Sequence, residues 1–144
     1  MEIKIELLKK ILPFGLDSNY MDKIYNSQYI VNSDVILNYD NICILFIDIV
    51  NYTALSQTNS GNTIFKLLDN IYNKFDNITK RYKCLQKIET IGDAYMIIGD
   101  ITNMRPKEVV SIEIINLAIE FLKAAKNIDL PDGSKLSIRA GIHI

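Results

Sequence analysis

Tryptophan is missing from this sequence, and histidine and cysteine are scarce, with one His and two Cys in 144 residues. Cys43 and Cys84 sit in apolar stretches with no CxxC spacing and no histidine cluster beside them, so they read as buried, reduced thiols. Reduced thiols suit a cytoplasmic setting. An excess of either charge is also absent: the formal net charge is −1, which leaves no global basic field to attract nucleic acid or anionic lipid. An anionic substrate would need a local site, with metal ions or backbone amides supplying the positive charge. Long hydrophobic runs are lacking as well. The longest, Ile42 to Val50, is broken by Asp48 and is too short to span a bilayer. Met1 to Pro13 mixes charges with apolar residues, unlike a secretory signal. What the chain does have is 49% hydrophobic and 23% charged residues, the balance of one globular domain with a real core rather than a disordered segment.

Periodicity divides the chain at about residue 40. Residues 2–12 place Ile3, Leu7, Leu8 and Ile11 on one helical face, and Pro13 stops that helix. Residues 15–40 are polar and weakly patterned, a connecting segment, so 1–40 is set apart from the domain at 41–144. Residues 41–50 form a β-branched run that is apolar on both faces, as in a central strand. The turn-rich stretch after it has room for one helical turn. Residues 62–82 carry Ile64, Leu67, Leu68, Ile71, Phe75, Ile78 and Tyr82 at helical spacing. Residues 84–91 predict a strand with Leu85, Lys87 and Glu89 on one face and Gln86, Ile88 and Thr90 on the other. Gly92-Asp93 is a turn signal, and a strand, AYMIIGD, follows at once. A helix over 107–126 has Val110, Ile114, Leu117, Phe121 and Ala125 in its stripe. After the Pro131-Asp132-Gly133 turn, Leu136, Ile138, Ala140 and Ile142 alternate with polar positions, predicting a strand with one buried face. The order β-α-β-β-α-β is ferredoxin-like, an α/β (α+β) sheet with two helices on one face.

That topology predicts spatial strand order 4-1-3-2, with strand 3 antiparallel to strand 1. Asp48 near the end of strand 1 then meets Asp93 at the start of strand 3, across 45 residues of sequence. An aspartate inside an Ile/Phe/Val run is costly unless paired or bound to metal. Two carboxylates at one sheet end repel, and a divalent cation of the Mg²⁺ or Mn²⁺ type relieves that. On spacing alone, Asp48 serves equally as a helix N-cap and Asp93 as a plain hairpin residue.

FIDIVNYTAL (46–55) resembles the F-x-D-I-V-G-F-T-x-L motif of the class III adenylate/guanylate cyclase catalytic domain, and KIETIGDAYM (87–96) resembles its K-V-E-T-I-G-D-A-Y-M motif almost residue for residue. LLKKILP (7–13) is similar to the stretch that precedes that domain, and RAGIHI (139–144) to its R-x-G-I-H-T-G strand. The resemblance implies that Asp48 and Asp93 bind two Mg²⁺ or Mn²⁺ ions, with the backbone carbonyl of Ile49 helping to hold one. It implies that Asn51, Tyr52 and Thr53 form the loop that meets the nucleotide phosphates, and that the Gly92 turn belongs to the same substrate site. Asn51 stands where the family has Gly; Asn tolerates left-handed backbone angles better than most residues. Glu89 matches the purine-reading position, and Glu there implies GTP rather than ATP. The implied reaction converts the triphosphate to the 3′,5′-cyclic nucleotide and pyrophosphate, for cyclic-nucleotide signalling. The implied assembly is a homo- or heterodimer with another cyclase domain.

The family's later Asn-x-x-x-Arg motif, beyond the G-I-H strand, has no counterpart after Ile144. The catalytic transition-state residues are therefore unassigned, as are the second base reader and a phosphate-binding Arg or Lys. Arg139 reads as a surface strand residue and His143 as a structural one. The expectation is a truncated domain with little turnover alone, or half of a composite site. Two alternatives compete. A degenerate cyclase-homology module could serve in dimerisation or regulation. An RNA-binding β-α-β-β-α-β domain would need an aromatic RNP1-like run that AYMIIGD does not have.

Overall fold

Strand β1 (Ile44–Ile49) lies between two neighbours; Leu45, Ile47 and Ile49 form its buried face, while Ile44, Phe46 and Asp48 lie on the open face. A computed structural model of the chain describes residues 42–100 and 105–144. The helix predicted over 2–12 and the connection at 15–40 fall outside them. After β1 come α1 (Tyr52–Thr58), α2 (Gly61–Thr79), β2 (Leu85–Ile91), β3 (Ala94–Gly99), α3 (Lys107–Ala125) and β4 (Ile138–His143). The sheet order is β2-β3-β1-β4, all neighbours antiparallel, the order predicted from the topology. α1 runs two turns, where the sequence suggested room for one. α2 opens at Ser60, whose hydroxyl accepts from the Thr63 amide, and stops three residues short of the predicted end. Beyond it Tyr82 sits in a turn, its amide bonded to the Thr79 carbonyl at 2.9 Å.

Both long helices cover one face of the sheet. Leu45, Ile47 and Ile49 of β1 and Tyr95 and Ile97 of β3 meet Ile71 and Phe75 of α2 and Ile114, Leu117 and Phe121 of α3. An aromatic trio centres this layer: Phe75 stacks on Phe121 at 4.3 Å, and Tyr95 stands edge-on to both at 5.6 and 5.7 Å. Such geometry adds roughly 0.5–1.5 kcal/mol per pair beyond area burial. Cys43 and Cys84 are buried free thiols, as expected. No helix among the described residues is long and apolar enough to cross a membrane.

Two strand expectations change. On β4, burial stops at Ile138; Ala140 and Ile142 face the helix side but are exposed, because β4 is an edge strand there. On β2, the alternation breaks. Lys87 pairs with Ile97 and Glu89 with Met96, so Ile88 is an extra residue in a β-bulge. The bulge reverses the phase. Lys87 lies with Ile97 on the helix side, while Glu89 lies with Met96 and Phe46 on the open side. The predicted sharing of one face by Lys87 and Glu89 is therefore wrong.

Candidate active site

The β1–β3 register brings the two aspartates together. Ile47 pairs with Tyr95, so one step on along β1 is Asp48, and two steps back along β3 is Asp93 in the hairpin turn. The carboxyl of Asp48 lies within hydrogen-bonding reach of that of Asp93. Asp93 also takes backbone hydrogen bonds from its own amide and that of Ile49. Burial first, then the hydrogen bond and charge of Asp48, hold the Asp93 carboxyl above the usual carboxylate range despite those amides. The site therefore stores an electrostatic conflict that a divalent cation would resolve. Its donor set is hard oxygen: two carboxylates and the carbonyls at the end of β1, which suits Mg²⁺ or Mn²⁺. Among the described residues no third Asp, Glu, His or Cys joins the pair, so other positions would fall to carbonyl, water or substrate oxygens.

The pair opens on a cleft of about 510 Å³ whose wall continues through Ile49, Val50, Asn51, Tyr52, Thr53, Ala54 and Gln57 to Arg139. Asn51 adopts φ 59° and ψ 27°, the left-handed conformation anticipated from its replacing a glycine, and it is the one described non-glycine residue with positive φ. The reversal lets the chain leave β1 and enter α1 at once, with Leu55 N–H bonding back to Asn51 O at 3.1 Å. Because Asn51 occupies the cap position, the reading of Asp48 as a helix N-cap is ruled out. Asp93 is a hairpin-turn residue and a neighbour of Asp48 at once.

Six predicted site residues thus gather in the cleft: Asp48, Ile49, Asn51, Tyr52, Thr53 and Asp93. Gly92 lies beside it in the turn, with φ 60°. Glu89 does not line the cleft; it is exposed on the open side of the sheet, opposite Met96. His143 pairs with Ile44, at the far end of β1 from Asp48. Arg139 is exposed on β4, the surface strand position expected of it; it also lines the cleft, pairs with Asp48 across β1 and β4, and donates from its guanidinium to the Asp48 carboxylate. The signal was available: strand 4 beside strand 1 puts the polar face of β4 next to Asp48, but the register was needed to choose Arg139.

Known proteins share this sequence pattern and this fold. The profile of the adenylate and guanylate cyclase catalytic domain matches residues 35–144. Receptor-type guanylate cyclase gcy-23 of Caenorhabditis elegans is 35% identical over 107 residues, 73% of this chain and 10% of that protein. The soluble guanylate cyclase subunit beta-2 of Rattus norvegicus is 34% identical over 106 residues, 73% of this chain and 15% of that protein. Among solved structures, the monomeric guanylyl cyclase domain of RhoGC from Blastocladiella emersonii superposes with TM-score 0.66 at 28% identity, covering 72% of this chain and 59% of that one. The guanylate cyclase domain of RhGC from Catenaria anguillulae, solved in complex with GTP, gives 0.64 at 28%, covering 70% and 54%. The chain therefore spans a small part of these curated relatives and little more than half of the solved domains. Matched along most of its own length, in sequence and in fold, the chain belongs to the adenylate and guanylate cyclase catalytic-domain family.

Proposed function

We propose that this chain supplies the metal-binding half of a nucleotide cyclase site that turns GTP, rather than ATP, into the 3′,5′-cyclic nucleotide and pyrophosphate. The observation that carries the reading is the Asp48–Asp93 carboxyl pair at the floor of a cleft walled by the Asn51–Thr53 loop. Asp48, Asp93 and the Ile49 carbonyl would hold two Mg²⁺ or Mn²⁺ ions. When bound, such ions lower the pKa of the ribose 3′-hydroxyl and offset charge on the departing pyrophosphate. The chain's own part is placement. The loop at Asn51, Tyr52 and Thr53, with Gly92 nearby, would seat the triphosphate. Arg139, which donates to Asp48, would give up that carboxylate to a cation and offer its guanidinium to phosphate oxygens. Glu89, free on the open side of the sheet, would accept from the guanine N1–H and N2 amino groups. No covalent enzyme intermediate is needed; positioning and charge stabilisation suffice.

The open side of the sheet, with Phe46 at 46% and Ile91 at 59% exposure, supports assembly with another cyclase domain that would complete the site. Turnover is accordingly expected from such a pair rather than from this chain alone. The test mixes purified chain with GTP or ATP and Mn²⁺, alone and with an intact cyclase domain whose two metal-binding aspartates are replaced by Asn. Expected are Mn²⁺-dependent nucleotide binding lost in Asp48→Asn, and cyclic GMP formed only in the mixture. Robust cyclic GMP from the chain alone would overturn the composite-site reading, and Mn²⁺ binding that survives Asp48→Asn would overturn the metal assignment.

A further inference from the structure

The hairpin that carries Asp93 is held from outside the sheet by one hydroxyl. Tyr72, in the middle of α2, donates from its phenol to the Gly92 carbonyl at 2.6 Å, across 20 residues of sequence. Ile91 pairs with Ala94, so Gly92 and Asp93 are the two central residues of the tightest hairpin turn. Gly92 has φ 60° and Asp93 has no positive φ, the pattern of a II′ turn. The competing I′ turn differs by a flip of the single peptide plane between the two central residues, and it needs positive φ at the second. Asp is one of the few residues that accept that conformation, so sequence alone leaves both turns open at Gly-Asp. The carbonyl that Tyr72 grips belongs to that same peptide plane.

We propose that Tyr72 is a positioning residue: its hydroxyl selects the turn conformation that aims the Asp93 carboxyl at Asp48. This rests on the reading of the pair as a metal site for its consequence, though not for the turn geometry itself. Tyr72 is well placed to act as a fixed post. Its ring packs 5.8 Å from that of Tyr95, and the Lys87 ammonium lies 5.7 Å from its centroid. One turn further along α2, Asp76 binds both Lys87 and Tyr95, so two residues of one helix face grip the β2–β3 hairpin. Without the hydroxyl, the peptide plane would be free to flip, and the Asp93 side chain would swing with its backbone away from Asp48. Conserving the ring in Tyr72→Phe removes the hydroxyl and little else.

The experiment compares the full chain with Tyr72→Phe, Asp48→Asn and Tyr82→Phe. The last loses a comparable phenol bond, the 2.7 Å one to Glu120 beyond the other end of β2. Backbone amide NMR of the metal-free proteins reads the turn directly, and Mn²⁺ titration followed by electron paramagnetic resonance reads its consequence. Tyr72→Phe is expected to shift or double the Gly92 and Asp93 amide signals and to weaken Mn²⁺ about tenfold or more. Tyr82→Phe should lower the melting temperature at least as much and leave both readouts unchanged. Unaltered Gly92 and Asp93 signals in Tyr72→Phe overturn the inference, as does unchanged Mn²⁺ affinity. A wild-type chain that takes no Mn²⁺, or an Asp48→Asn variant that still does, overturns the metal-site reading instead, and the amide signals then decide the role of Tyr72 by themselves.

Discussion

Replacing Lys87 by Met should destabilise the domain by about 2 kcal/mol, while replacing Glu89, two residues away on the same strand, by Gln should cost under about 0.5 kcal/mol. The difference follows from the bulge at Ile88. Lys87 is turned to the helix side, where its ammonium donates to Asp76 at 2.9 Å and lies 4.8 Å from the Tyr95 ring centroid. A hydrogen bond between charged groups contributes roughly 1.5–3 kcal/mol when shielded. Here the partners are 33% and 36% exposed, so solvent screening reduces that to about 1 kcal/mol. The two ring contacts add roughly 0.5–1 kcal/mol. Asp76 keeps the Tyr95 hydroxyl at 2.6 Å, so the Met variant leaves no wholly unpaired carboxylate and the loss stays near this sum. For a domain of this size, about 2 kcal/mol corresponds to roughly 8–16 °C in melting temperature. Calorimetry or urea unfolding of both variants checks it. Strict strand alternation would have the two substitutions act alike. Equal shifts, or a Lys87→Met change below about 0.5 kcal/mol, would refute the reasoning from the bulge.

Other parts of the structure lead to four further outcomes. Because Asn51 holds φ 59°, Asn51→Gly should leave urea stability within about 0.5 kcal/mol, whereas Asn51→Val should cost about 1–2 kcal/mol, since a β-branched side chain resists that conformation. The Cys84 thiol, pushed up to about 12 by burial and then by its hydrogen bond to Glu113, should resist iodoacetamide near neutral pH until the chain is unfolded. Its folded pKa lies above the unfolded value of about 8.5, so its contribution to stability is whole below that pH and declines as pH rises toward the folded value; urea midpoints should fall between about pH 8.5 and 10, and less steeply in Cys84→Ser. Under the proposed function, Glu89→Lys should weaken Mn²⁺-dependent GTP binding about tenfold or more without lowering the melting temperature, and calorimetric titration against GTP and ATP measures it.

The element order, the 4-1-3-2 sheet and the buried stripes of α2 and α3 were legible from periodicity, because a half-buried helix or strand must repeat its apolar residues at its own structural period. The motif pair around Asp48 and Asp93, with the topology, was enough to name the two carboxylates as neighbours and to mark Asn51 as a residue that tolerates left-handed backbone angles. Periodicity has no term for an inserted residue, however. Only the paired strands show that Ile88 is bulged out, that Lys87 belongs to the Asp76–Tyr95 cluster and that Glu89 stands alone on the other side. Strand order put the polar face of β4 beside Asp48, but a guanidinium on Asp48 and a phenol on the Gly92 carbonyl depend on cross-strand register and helix placement. The sequence by itself determined which two carboxylates meet at the end of the central strands, because the motifs and the element order are written along the chain. Only the tertiary structure decided what touches them, the Arg139 guanidinium on Asp48 and the Tyr72 hydroxyl on the Asp93 turn, because those partners come from other elements whose rotation and register no single stretch of chain encodes.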